Sequence, residues 1–280
     1  ACGVCIYGGD QFGEIYKGNA FSCEPAAQLI KRIILEDHHS IVSGRLPYTE
    51  KEFLRSGDEK FRPVFATTGP DGALYIVDMY RGIIQHNTYM TSYLRNHIEK
   101  YGLEKIKGMG RIYRIYHKNR PLKPVKLSGK SEKELIDLLD HHNKWVRIRA
   151  QWKIIHAGDE NKFLPLLKKK FEETRSNITR LHILHILNLY KTKDVALIKI
   201  ASFSGHTALR HQAMLMLSSI DQNTFVNLRK IANQKDEMVF VSATFRNFEQ
   251  NSYIIQSLIR QYENDSLFGA LIASSVWQFA

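Results

Sequence analysis

Along the first 116 residues the apolar positions come in short runs, several alternating with polar ones, and each run is cut by glycine or a polar turn. The runs NAFSC, AQLIKRIIL, RPVFATT, ALYIVDMY and GRIYRIY have the length and β-branched or aromatic content of strands, so this half predicts an array of β-sheets. Between RPVFATT and ALYIVDMY stands Gly69-Pro70-Asp71-Gly72. Pro70 fixes φ at the first corner, Asp71 is able to hydrogen-bond its own backbone and Gly72 accepts positive φ, which together predict a hairpin. The segment 87–108 breaks the pattern: TYMTSYLRNHIEKYGLEKI has helical spacing and basic ends, and predicts a helical insertion between the last two strands.

After RPLKPVKLSGKS the period changes. Residues 119–131 read as a Pro/Lys/Ser-rich linker, and from Glu132 onward apolar residues recur at intervals of three and four, so everything downstream is expected to be helical. This half also repeats itself. WVRIRAQW, ITRLHILHI, ALRHQAML and VFVSATF place comparable positions at Arg147, Arg180, Arg210 and Phe240, spaced 33, 30 and 30 residues apart. A period near 30 built from helix pairs predicts an α-solenoid. LIDLLDHHNKWVRIRAQWKII resembles a HEAT-like repeat, with a first helix, a short polar turn, a Val-Arg opening to the second helix and a small residue, Ala150, at the crossing. The fold class expected is therefore β then α, with separate cores for 1–118 and 132–280.

Composition adjusts this picture in two ways. The chain has 280 residues, 44% hydrophobic and 24% charged, enough for one large or two ordinary cores. No apolar run reaches the eighteen or so residues of a membrane span, and the longest, such as FGALIASSV, stops well short. The sequence has no initial Met, no basic n-region and no signal h-region, and apolar patterning still runs at ASSVWQFA; it is expected to be an internal piece of a longer protein. The net charge of +12 is uneven, with 16 Lys and Arg against 13 Asp and Glu in residues 1–118, and 24 against 15 in residues 119–280. Lys168-Lys169-Lys170 and their neighbours lack interleaved aromatics, so the basic excess reads as a solvated helical face and disfavours nucleic acid as a partner.

Few residues carry a chemical motif. The pair His38-His39 in EDHHS is adjacent and in an expected loop, and His182 and His185 share a helix face without a third ligand, so neither set reads as a metal site. All three cysteines, Cys2, Cys5 and Cys23, lie in the first 23 residues. CGVC lacks the histidine needed for c-type haem attachment, and one CxxC does not build a four-ligand zinc site. Phosphate-binding loops, G-x-S-x-G, H-E-x-x-H and the Rossmann glycine pattern are missing from the sequence, which leaves hydrolase and nucleotide-binding readings without support. Asp78 interrupts the apolar run LYIVDMY; if buried it needs a partner, and Arg62 or Arg81 is the nearest cation in sequence.

GNAFSCEPAAQLIKR, then FRPVFATTGPDGALYIVDMY, closing on GRIYRI, resembles the last blades of the β-propeller of sorbosone and pyrroloquinoline quinone (PQQ) sugar dehydrogenases. It is similar in particular to bacterial secreted proteins called membrane-bound dehydrogenase-like, in which HEAT-like repeats and a c-type haem domain follow the propeller. The resemblance covers residues 1–118, and the order of domains covers the rest. It implies that Lys60 and Arg62 of EKFRPV match basic positions that grip the PQQ carboxylates, and that Asp78 matches an acid near the cofactor. His86, at the end of IIQH on the propeller's loop side, joins them as a candidate for the site. A lysine that the relatives place on the strand of EPAAQLIK has no counterpart, since Ala27 and Gln28 stand there. The family also implies a disulfide between Cys2 and Cys23, with Cys5 left over, and hence an extracytoplasmic setting, periplasmic or secreted.

Two functions follow from this resemblance. In one, the chain is the end of an enzyme that oxidises a sugar or another alcohol and passes electrons to a quinone or to a c-type haem outside this chain; its catalytic base would lie in an earlier blade, so the fragment alone is expected to be inactive. In the other, the propeller has lost its cofactor, and propeller and solenoid bind carbohydrate or protein. Arg62 fits either reading, as a cofactor ligand or as a structural residue satisfied by neighbouring carbonyls.

Overall fold

A computed structural model of the chain describes residues 2–38, 41–191, 194–218 and Arg260. The fourth repeat position, Phe240, and the rest of the expected solenoid beyond 218 lie outside the described residues. The order is β then α, with antiparallel sheets first and helices after them.

The chain divides into two compact units. The first holds residues up to His38, Val42–Ser128 and His141–Arg147. Residues 119–128, expected as linker, thus belong to the first unit, and so does the short segment 141–147, expected inside the helical domain. The boundary differs from the sequence reading because long-range hydrogen bonds hold these stretches: Gln11 Nε2 donates to Pro121 O (3.3 Å), and Arg120 Nη1 to Asp10 O (2.6 Å).

In the first unit β1 (Cys2–Ile6), β2 (Ala20–Glu24), β3 (Leu29–His38) and β4 (Ile41–Arg45) run side by side in that order, with the two-residue β5 (Leu54–Arg55) also pairing with β3. His38 therefore ends a strand and not a loop, while His39 lies outside the described residues. The second sheet is β6 (Pro63–Thr68), β7 (Leu74–Asp78) and β8 (Arg111–Ile115), antiparallel throughout. β6 lies against β1 and β2, and the core between them is Tyr7, Phe21, Cys23, Ile30, Ala66, Leu74 and Ile76. On β6 and β7 the buried residues Ala66, Leu74 and Ile76 lie on the face toward this core, as the two-residue period of a strand requires.

The GPDG turn forms as the sequence predicts, with Gly72 at φ +79° and Asp71 Oδ1 accepting from Ala73 N (3.1 Å). It is also gripped from outside. Tyr7 Oη donates to Gly72 O (2.6 Å) and accepts from Gln11 N (3.0 Å), while Asn143 Nδ2 donates to Gly69 O (3.0 Å) and Pro70 O (3.3 Å). A side chain at Gly9 would stand 2.0 Å from Gly72 O, so the approach of these two segments requires glycine there. Burial raises the Tyr7 phenol to about 12, which keeps it the neutral donor this knot needs.

Between β7 and β8 lies the expected insertion: a 3-10 turn (Asn87–Tyr89), α1 (Ser92–Tyr101) and a second 3-10 turn (Leu103–Lys105). Thr91 caps α1 by accepting from Leu94 N (3.3 Å), and Gly102 in the left-handed region (φ +59°) ends it.

The described helices of the rest are α2 (Glu132–Asp137), α3 (Lys144–Ala157), α4 (Glu160–Glu173), α5 (Asn177–Leu189), α6 (Val195–Ser202) and α7 (Thr207–Ser218). Ser131, Asp159, Ser176 and Asp194 supply the side-chain N-caps of α2, α4, α5 and α6. The three repeat arginines within the described residues do similar work. Arg147 donates to His141 O (2.7 Å), Arg210 to Ser204 O (2.7 Å) and Arg180 to Phe171 O (3.1 Å), each tying its helix to carbonyls upstream of that helix. Beside them Val146, Thr179 and Leu209, one residue earlier, and Ala150, Ile183 and Ala213, three later, are fully buried. His182 pairs with Gln151, and burial lowers the pKa of His185, so both histidines pack within the helices.

Candidate functional site

Arg62 immediately precedes β6 and is only 8% exposed. Its guanidinium donates to four backbone carbonyls: Nε to Arg81 O (2.9 Å), Nη1 to Pro25 O (2.8 Å) and Ala26 O (3.4 Å), and Nη2 to Gly82 O (2.9 Å). A guanidinium has five N–H donors in a planar fork, so these bonds use nearly all of it. Burial draws its pKa below the usual arginine value, with Glu59, Asp58 and Asp78 opposing the shift. Arg62 thus stitches the turn after β2 and the loop after β7 to the start of β6.

Asp78 ends β7 at 1% exposure, opposite Pro63 in the strand register. Neither expected arginine partner pairs with it through its guanidinium. Its Oδ1 instead accepts two backbone donors, Arg62 N (2.7 Å) and Tyr80 N (2.8 Å), and Oδ2 is buried without a hydrogen-bond partner. The second bond closes an Asx turn that holds Tyr80 at φ +44°, a conformation unusual for a side chain of that size. The sharp exit from the sheet sends the chain into the loop whose carbonyls Arg62 binds.

Beyond the guanidinium lies a cavity of about 370 Å³, within the size range of small-ligand sites. Arg62, Gly82 and Gln28 meet it from the sheet side, and Leu94, His97 and Ile98 of α1 with Leu103 meet it from the insertion. Gly82 makes this closeness feasible, since a Cβ there would stand 2.5 Å from Leu103 O and 2.6 Å from Leu103 Cβ. Gln28 sits at φ +53°, so the turn that carries Pro25 and Ala26 to Arg62 also brings the Gln28 side chain to the cavity. At the rim His97 Nε2 and Glu59 Oε2 are 3.1 Å apart. The charged lining groups balance, Arg62 against Glu59, and the remainder is amide (Gln28, Gln85) and aliphatic (Ile83, Ile84).

The residues predicted for the site gather only in part. Arg62 lines the cavity, and Gln28, the position without the relatives' lysine, lines it as well. Lys60 stands in the turn before β6, its backbone N donating to Asp58 Oδ1 (3.0 Å). His86 faces a second, more open cleft of about 600 Å³ with Met79 and Arg81, where its Nδ1 pairs with Thr88 Oγ1 (3.0 Å). The two spaces share Ile83, Ile84 and Gln85. Cys2 and Cys23 are Cα partners across β1 and β2, with their thiols unbonded. Burial pushes the Cys23 thiol up to about 11, with Cys2 and Cys5 adding to the shift. Sequence reasoning missed Glu59 and His97, which lie 38 residues apart and are joined only by the insertion folding back.

A planar tricarboxylate such as PQQ needs a free guanidinium fork or ammonium groups to hold it. Arg62 has its fork committed to carbonyls, Gln28 brings a neutral amide, and Glu59 adds a negative charge to the lining. These residues do not suit that cofactor. Among the described residues no group of three His, Cys, Asp or Glu is placed to hold a metal ion, and no helix is long and apolar enough to cross a membrane.

Residues 1–119 match the model of a domain of unknown function (DUF7133), here built of antiparallel sheets. Neither the curated proteins nor the solved structures contain a match to the chain.

Proposed function

We propose that this chain belongs to a non-catalytic binding protein, in which the cavity beside the α1 insertion takes a neutral polyhydroxy ligand, a carbohydrate. The observation that carries this reading is the commitment of the Arg62 guanidinium to four backbone carbonyls. With that charge spent and Glu59 balancing it, the donors and acceptors left are the amides of Gln28 and Gln85 and the His97–Glu59 pair. Such groups match hydroxyls, which both donate and accept, and the aliphatic wall of Ile83, Ile84 and Leu94 suits the C–H faces of a sugar ring.

In the same proposal residues 1–118 are the closing blades of a dehydrogenase-like β-propeller that has lost its cofactor grip. Successive antiparallel hairpins and the packing of β6 on β1 and β2 support the blade arrangement. The shared role of Arg147, Arg180 and Arg210 supports HEAT-like repeats over 132–218, a scaffold suited to a protein partner. The placement of the cysteines favours an extracytoplasmic location.

A second reading, an enzyme oxidising a sugar or alcohol with a quinone or c-type haem, has the bare Asp78 Oδ2 in its favour, a buried acceptor with no partner of its own. One titration separates the two. Calorimetry of the chain with PQQ and with a panel of neutral monosaccharides should give heat with a sugar and none with PQQ. Saturable PQQ binding that Arg62→Lys weakens would restore the dehydrogenase reading and remove ours.

A further inference from the structure

We infer that the cavity is the inner end of an extended groove for a polysaccharide chain, with Tyr93 and Tyr89 as ring platforms for sugar units outside the cavity. This rests on the carbohydrate reading and adds to it the length of the ligand.

On α1, positions four apart share a face, so Tyr93, His97 and Tyr101 form one row along the helix. The middle member, His97, lines the cavity, while Tyr93 is 80% and Tyr101 57% exposed. Tyr89, in the 3-10 turn before α1, is 79% exposed and stands edge-on to His86, with ring centroids 6.3 Å apart. His86 lines the second cleft, which has Ile83, Ile84 and Gln85 in common with the cavity. The two spaces are thus neighbours, and an exposed tyrosine adjoins a lining residue of each: Tyr93 one turn from His97, and Tyr89 edge-on to His86.

Three exposed tyrosine rings would be costly as a random surface, since large apolar surface in water is unfavourable. Their inward neighbours Leu94 and Ile98 serve the packing of α1 while Tyr93 projects into solvent; Tyr101 packs on His97, with ring centroids 4.6 Å apart. A tyrosine offers a flat apolar face with a polar hydroxyl at its edge, which suits a pyranose ring with its axial C–H groups on one side and hydroxyls around the rim. An apolar peptide partner would favour an unbroken aliphatic strip, but here the row is flanked by Asn96 and Lys100, three residues after Tyr93 and His97, which are hydrogen-bonding groups.

The test is the chain-length dependence of affinity. The 280-residue chain is titrated with homologous series of neutral oligosaccharides, monomer to hexamer, chosen from a glycan array. Affinity should rise by about tenfold from monomer to hexamer, the increment an aromatic contact of ordinary strength supplies. Tyr93→Ala and Tyr89→Ala should each reduce that rise and leave monomer binding within about twofold, with the melting temperature unchanged because both rings project into solvent. Monomer binding without a length increment, or a rise that both tyrosine variants retain, overturns the groove and leaves the cavity reading standing. Absence of binding to every member of the array removes both.

Discussion

Arg62 and Asp78 meet at the start of β6 and the end of β7, yet they touch through the backbone N–H of Arg62 and not through its charge. The guanidinium faces the opposite way, into the carbonyls of two loops. Removing it leaves buried acceptors bare, at about 1–3 kcal/mol for each that water does not reach. Arg62→Ala is therefore expected to lower the unfolding free energy by about 3 kcal/mol or more, and Arg62→Lys to recover less than half, because one ammonium does not span carbonyls at Pro25, Arg81 and Gly82. Urea denaturation of both variants measures this; a loss below about 0.5 kcal/mol for Arg62→Ala, the range of ordinary surface changes, would mean that the carbonyls find water and that the arginine is free for a ligand. The sequence marked Arg62 and Asp78 as important, from an isolated charge in an apolar run. It did not disclose which role they take, because the partners Pro25, Ala26 and Gly82 lie 37, 36 and 20 residues away and present carbonyls, which every residue carries.

Elements defined by local chemistry were the legible ones. The GPDG hairpin, the insertion over 87–108 and the change of period after the linker rest on residues within a few positions of one another, and each forms. The start of α2 is another such case, and it can be tested by pH. Glu134 accepts from Lys130 Nζ (2.9 Å), Ser131 N (2.9 Å) and Ser131 Oγ (3.0 Å), while Ser131 Oγ accepts from Glu134 N (3.4 Å), a complete capping box. The Lys130 ammonium first, and then the Ser131 donors, hold this carboxyl down at about 2 against an ordinary 4.5. A depressed acid stabilises the fold above its unfolded value and loses that contribution as pH falls through the folded one, here from about 4.5 to about 2. The difference in urea midpoint between the protein and Glu134→Gln should accordingly be constant above pH 5 and shrink over that window. A difference that stays flat to pH 2 would show that the box forms no charged bond in solution.

At the scale of the molecule, the sequence placed the boundary by composition, and composition does not register a segment that returns. His141–Arg147 reads as the turn and opening of a helix, which it is, yet it belongs with the β-sheets because Asn143 closes on the GPDG turn 74 residues earlier. Asn143 is nearly fully buried, its Oδ1 accepts from Trp145 N (2.9 Å), and Lys144 N donates to Gly8 O (2.9 Å) beside it. A Cβ at Gly8 would stand 2.4 Å from Lys144 Cβ, so the first unit has a glycine where this segment comes closest. Asn143→Ala thus withdraws donors from two carbonyls and a cap from α3, at about 2 kcal/mol together. The loss should register in the sheets, although residue 143 lies beyond the 1–119 domain match. Cys5 and Cys23 report on it, since both are buried between the sheets and react only when these open, whereas Cys2 is exposed and reacts at once. In reduced protein, Ellman labelling should show a fast phase from Cys2 that the variant leaves unchanged and a slow phase accelerated by about tenfold or more, as a destabilisation of that size requires. An unchanged slow phase, accompanied by loss of helical signal on heating, would confine the role of Asn143 to capping α3 and return residues 141–147 to the helical half.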